Sequence, residues 1–189
     1  IKPDVVNDLR PGSAPIRSDE MIAFIDKAIV QYQAIANKGG WPQVPGNRMM
    51  RPGDDDERLP VLRRRLRATG ELKGSSSGFE DFNFDSTTEE AVRRFQERHG
   101  LRVSGRVDQP TLAALNVSAD QRLKQLELNR QRIFALLQQP IEERYVLVNA
   151  PGFQLEAVER YDVAQRHRVV VGRQQRETPE LRATIKALN

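Results

Sequence analysis

Phe84-Asp85-Ser86-Thr87-Thr88-Glu89-Glu90-Ala91-Val92-Arg93-Arg94-Phe95-Gln96 and Gly105-Arg106-Val107-Asp108-Gln109-Pro110-Thr111-Leu112-Ala113-Ala114-Leu115-Asn116 carry one local device twice. In each, an Asp-x-x-Thr (Asp85 to Thr88, Asp108 to Thr111) stands ahead of an apolar series at helical spacing. An aspartate just outside a helix accepts a hydrogen bond from a backbone N–H of the first turn, which would otherwise have no partner. The first stretch also offers Thr87 and Glu90 as a reciprocal capping box. Ala91, Val92 and Phe95 form its apolar stripe, and Gly100 ends it. In the second, Pro110 suits the first turn, and Leu112 and Leu115 face inward. Val92, Phe95, Leu112 and Leu115 are therefore expected to pack together, with Gly105 allowing a tight turn between the helices.

Working outward, a helix is expected after Ser18, with Asp19 and Glu20 at its positive end and Met21, Ile22, Ile25, Ala28, Ile29, Tyr32 and Ile35 recurring at helical spacing. Gly39-Gly40 stops it. A turn-rich stretch from Trp41-Pro42 to Pro52-Gly53 follows, anchored by the sole tryptophan. The next helix is read from Glu57 to Thr69, with Leu59, Leu62 and Leu66 inward, its arginines toward water and Gly70 as terminator. Residues 73 to 83, rich in Gly and Ser, are expected to form a mobile loop. A long helix runs from Ser118 to about Gln138, ahead of Pro140. Beyond it Tyr145–Val148, Phe153–Val158 and Val169–Val171 read as short strands.

Composition narrows the function classes. The 30 basic and 26 acidic side chains differ by only four and are interspersed, unlike the clustered charge of a nucleic-acid surface. No apolar run approaches the roughly 18 residues of a membrane span. Without cysteine, this chain has no disulfide, thiolate metal site or cysteine nucleophile. The opening Ile1-Lys2-Pro3 has no signal-like region and reads as a processed or shortened beginning. Residues 177 to 189 give no end signal, and three strands leave an open edge, so more chain is expected to belong to the sheet.

Three segments taken in order, Leu59–Leu66, Phe84–Gln96 and Gly105–Asn116, resemble the peptidoglycan-binding domain 1 family, whose fold is a three-helix bundle. Tyr145–Leu155, Val169–Arg173 and Arg176–Pro179 resemble the opening strands of the YkuD-type L,D-transpeptidase catalytic domain, in its large periplasmic Gram-negative branch. Gly39-Gly40-Trp41-Pro42 is similar to that branch's helical scaffold. The resemblance implies a parent enzyme that cross-links stem peptides through a cysteine acyl-enzyme. No His-Gly-Cys-type motif occurs here, so no nucleophile carries over and the chain alone is expected to be inactive. His99 and His167 lie outside any such context and read as ordinary solvated or helix-end histidines.

The fold class that follows is α+β, a mainly helical scaffold and three-helix bundle followed by a partial β-sheet domain. Its expected parts are an extended arm (1–17), a helical scaffold (18–56), a peptidoglycan-binding-like bundle (57–117), a connecting helix (118–140) and an incomplete β-rich catalytic domain (141–189). The candidate ligand-binding residues are Asp85, Thr88, Gln96, Arg106, Asp108 and Thr111, placed around a shallow groove beside the two helix starts, where N–H groups could hold stem-peptide carboxylates. Each aspartate and threonine also has a plain reading as a helix cap. Asp54-Asp55-Asp56-Glu57 lacks the alternating ligands and turn glycine of a calcium loop. No metal, cofactor or catalytic residue is expected. The partner implied is peptidoglycan, through stem peptides or glycan, in the periplasm or cell envelope, without nucleic acid or a membrane span. Two alternatives remain: a stand-alone wall-binding module, and an Arg-rich helical nucleic-acid binder built on Arg63-Arg64-Arg65 and Arg67.

Overall fold

Ser18 accepts from the Met21 N–H at 3.1 Å and so starts helix α1 (Asp19–Asn37). The helix ends in paired bonds, from Gly40 N–H to Ile35 O and from Gly39 N–H to Ala36 O, both 2.9 Å. This closure places Gly39 at a φ of 90°, which only glycine adopts without strain. Helices α2 (Leu59–Ala68) and α3 (Ser86–Arg98) close the same way at Gly70 and Gly100. Two further helices, α4 (Gln109–Leu115) and α5 (Ala119–Leu137), precede the strands β1 (Arg144–Asn149), β2 (Gln154–Glu159) and β3 (Asp162–Arg168).

This computed structural model describes residues 14–74, 81–140, 142–172, 175–176, 178–179 and 182–184. Most of the expected arm, residues 75–80 of the expected Gly/Ser loop, and Arg173 and Glu177 of the transpeptidase-like segments lie outside the described residues. Among the described residues, five α-helices and a three-stranded antiparallel sheet give the α+β class read from the sequence. The chain divides into two compact units, residues 22–132, and residues 133–189 together with 1–21.

In the first unit, α2, α3 and α4 enclose Leu59, Leu62, Leu66, Ala91, Val92, Phe95 and Leu115, all fully buried, with Leu112 beside them. The expected inward leucines and the Val92–Phe95–Leu112–Leu115 packing are found. A second cluster joins Tyr32, Trp41, Ala119 and Leu123, with Ile29, Ile35 and Leu126 against it. Trp41 meets Tyr32 edge-on at 5.8 Å and donates from Nε1 to Val117 O at 3.1 Å, which anchors its loop as expected.

The arginines of α2 differ from expectation, because two of them point inward. Arg65 is 1% exposed, with its guanidinium carbon 3.9 Å from the Trp41 ring centroid and 5.4 Å from that of Phe95. Its Nε donates to Leu115 O at 2.7 Å and its Nη1 to Thr69 Oγ1 at 2.9 Å. Burial pulls the guanidinium down to about 10, with Glu71 acting in the opposite direction, so it stays charged at neutral pH. Glu71, itself buried, accepts from Thr69 Oγ1 and from Arg98. Arg63 is 4% exposed and donates from Nε to Thr88 Oγ1 at 3.0 Å, and to the carbonyls of Asp81 and Asn83. A guanidinium with five donors can be buried where helix-end and loop carbonyls converge, and hydropathy does not reveal that convergence.

In the second unit the sheet order is β1-β2-β3, antiparallel throughout, with Val146 opposite Ala157 and Leu155 opposite His167. The third strand is not Val169–Val171 but the polar run Asp162–Arg168. Arg160 and Tyr161 take positive φ values of 50° and 71°, so the chain reverses in a two-residue turn directly after β2. That turn lacks the glycine or asparagine that would have advertised it. Glu156 of β2 is fully buried, accepts from Ile16 N–H at 2.7 Å and pairs with Arg166 at 3.2 Å. Arg166 also donates to Ala14 O at 2.8 Å, so residues 14 and 16 are bonded to the sheet.

Candidate functional site

Both aspartates cap as their spacing requires. Asp85 Oδ1 accepts from Thr88 N–H at 2.9 Å, and Asp108 Oδ1 accepts from Thr111 N–H at 3.0 Å and from Thr111 Oγ1 at 2.6 Å. The Thr87–Glu90 box does not form: the cap is Asp85, and Glu90 pairs outward with Arg94 at 3.6 Å. Burial pushes the Asp85 carboxyl up. Hydrogen bonds from Thr88 and the charge of Arg63 outweigh this and hold it below the usual carboxylate range.

Gln96 is fully buried and ties the α3–α4 loop from inside. Its Oε1 accepts from Ser104 N–H at 2.9 Å and Gly105 N–H at 3.0 Å, while Nε2 donates to Arg106 O at 2.8 Å and Thr111 Oγ1 at 3.0 Å. Gly105 has a φ of 74°, and a Cβ there would come within 2.7 Å of Glu89 Oε1 and 2.8 Å of its Cγ. The positive φ favours glycine, and any side chain there would also have to displace the Glu89 side chain.

The six residues singled out from the sequence thus divide. Thr88, Gln96 and Thr111 are buried with their polar atoms engaged inside, whereas Asp85 and Arg106 are exposed and Asp108 is half-buried. The residue before each cap is bonded to the connector from Met50 to Asp56. Met50 and Val107 exchange N–H···O bonds of 3.1 and 3.0 Å, Gly53 N–H donates to Phe84 O at 2.9 Å, and Phe84 N–H to Asp54 O at 2.9 Å. Asp56 N–H then donates to Phe82 O at 2.8 Å. The surface beside the caps is made by this ribbon, with Met49, Arg51 and Phe82 exposed.

Near it, a cleft of about 370 Å³ is lined by Gly46–Arg48 and Asp55–Arg58. Arg58 braces the cleft through Asp56, with Nε–Oδ1 at 2.8 Å and Nη2–Oδ2 at 2.7 Å, and donates to Arg48 O at 2.9 Å. A wider cavity of about 1580 Å³ lies in the sheet unit, between residues such as Gln139, Tyr145 and Arg182, and contains none of the six. Among the described residues no cluster of metal-ligating side chains occurs, and no helix is long and apolar enough to cross a membrane.

His99 closes α3, its ring stacked on Phe95 at 3.9 Å and its Nδ1 2.8 Å from Phe95 O. Burial pulls its imidazole down to about 4, with Arg98, Arg122 and Arg65 acting the same way against the Phe95 carbonyl. His167 lies on β3 with Nε2 3.1 Å from Gln165 Oε1. Arg51 went unnoticed in the sequence, since only the pairing of Met50 with Val107, far apart in the chain, brings its segment to the start of α4.

Residues 56–115 match the family model described as "Putative peptidoglycan binding domain". A peptidoglycan-binding domain of this type is therefore present there, coinciding with α2, α3 and α4. No curated protein matches the chain.

Proposed function

We infer that residues 56–115 hold bacterial cell-wall peptidoglycan, and that the chain is the wall-binding portion of an L,D-transpeptidase of the periplasm. The observation that carries the first statement is the match over 56–115 to a peptidoglycan-binding family. The exposed side chains Met49 and Arg51, with Phe82 and Arg106 on the segments bonded to that connector, offer cationic and apolar contacts to a peptide-substituted glycan. Thr88, Gln96 and Thr111 act behind that surface, fixing the loop and the caps. The transpeptidase reading draws on the resemblance of Tyr145–Pro179 to the opening strands of that catalytic domain. In the parent enzyme a cysteine supplied by another segment would form the acyl-enzyme, while this portion positions the wall polymer.

Co-sedimentation of the whole chain with purified, insoluble peptidoglycan tests the binding statement. Retention at moderate salt is expected, and a chain that stays in the supernatant refutes it. For the parentage, the natural gene should encode a His-Gly-Cys-type motif downstream of Asn189. A gene without one leaves a wall-binding module. The nucleic-acid alternative loses its main support, because Arg63 and Arg65 of the basic run are inside the bundle.

A further inference from the structure

Met50 and Val107 form a mutually hydrogen-bonded antiparallel bridge and are 1% and 0% exposed. In such a pair the next residue on one strand stands opposite the preceding residue on the other, and both point away from the buried pair. The bridge is isolated, and Arg51 and Arg106 are the residues that flank it on the same side, one on each segment, both exposed. Neither guanidinium has a hydrogen bond or ion pair among the described residues. Of the nearby carboxylates, Asp108 accepts from Thr111, Asp85 from Thr88 and Asp55 from Asn83, and Glu89 pairs with Arg93 at 2.6 Å; Asp54, three residues from Arg51, forms no ion pair with it. Two cations held on one small surface without counter-ions favour an anion between them. Both positions are also firmly set, since Gln96 fixes the Arg106 carbonyl at 2.8 Å and the Arg51 carbonyl accepts from Asp54 N–H at 3.1 Å.

The geometry points to a two-arginine clamp, Arg51 with Arg106, that binds a free carboxylate of the peptidoglycan stem peptide. This rests on the wall-binding reading above and adds the group recognised. A planar guanidinium matches a carboxylate in a paired arrangement, and two of them enclose its two oxygens. An uncharged glycan or an amidated stem would offer the arginines no anion. The clamp therefore selects wall polymer whose stem carboxyls are free.

The test uses the full chain with two preparations of sacculi, one untreated and one whose carboxyls have been capped as neutral amides. Wild-type retention should fall about tenfold on capped sacculi, the value of one charge-assisted contact. Arg51→Gln and Arg106→Gln should each fall by a similar factor on untreated sacculi and respond little to capping. Both variants should melt near the wild-type temperature, because neither guanidinium has a partner among the described residues. Strong wild-type retention that capping leaves unchanged would overturn the clamp and leave wall binding standing, as would undiminished retention of both variants. No wild-type retention on untreated sacculi would remove the wall-binding reading and the clamp with it. Variants that melt several degrees lower would show the two arginines to be structural and refute the clamp.

Discussion

His99 and Phe95 sit one turn apart on α3, and their stacked rings make the helix end sensitive to acid. The folded imidazole releases its proton near pH 4, against an ordinary value of 6.5, so between those limits the unfolded chain binds more protons than the folded one. Stability contributed by the neutral ring is complete above about pH 6.5 and is lost as the pH falls toward 4. With the ring partly screened by solvent, the loss is about 1–3 kcal/mol. Urea midpoints at pH 7 and pH 4.5 should therefore separate more for the wild type than for His99→Phe, which keeps an aromatic ring but cannot titrate. Equal separations would refute the assignment. At this scale the aspartate caps were legible in the sequence because the bond spans only three residues. The burial of Arg63 and Arg65 was not, because their acceptors belong to Asn83 and Leu115, brought close only by the packed bundle. For the same reason the bonds of Gln96 to Arg106 and Thr111, and of Thr88 to Arg63, were not legible.

The hairpin of β2 and β3 shows how an element can be hidden by its turn. Arg160 and Tyr161 both occupy the left-handed region that asparagine and glycine fill with less strain. Replacing the pair by Asn-Gly should stabilise the hairpin by about 1 kcal/mol. Amide exchange of β3 residues would slow accordingly, and unchanged exchange would mean that the turn is held from outside, for example by the bond from Arg160 N–H to Glu143 O at 2.7 Å. The strand itself, Asp162–Arg168, has only Val163 and Ala164 as apolar residues, so alternation gave no signal. The helices of the bundle were legible because glycine stops and aspartate starts bracket them. The ribbon from Met50 to Asp56 was not, since its partners Val107 and Phe82–Phe84 come from distant parts of the sequence.

For the molecule as a whole, the division at residue 132 separates the peptidoglycan-binding bundle and its flanking helices from the sheet. Both hydrophobic clusters of buried residues fall within 22–132. A chain of residues 22–132 should therefore fold cooperatively and sediment with sacculi as the full chain does. Aggregation, or retention well below that of the full chain, would show that it depends on the sheet unit. Such a comparison has a spectroscopic handle in Trp41, the single indole of the protein, held edge-on to Tyr32 and covered by the Arg65 guanidinium. Excited at its own absorption band, that chromophore emits from inside the bundle alone, and its shift to longer wavelength on hydration dates the opening of residues 22–132. The sheet unit has no indole, so a red shift that precedes loss of the far-ultraviolet β signal would mean that residues 22–132 open first.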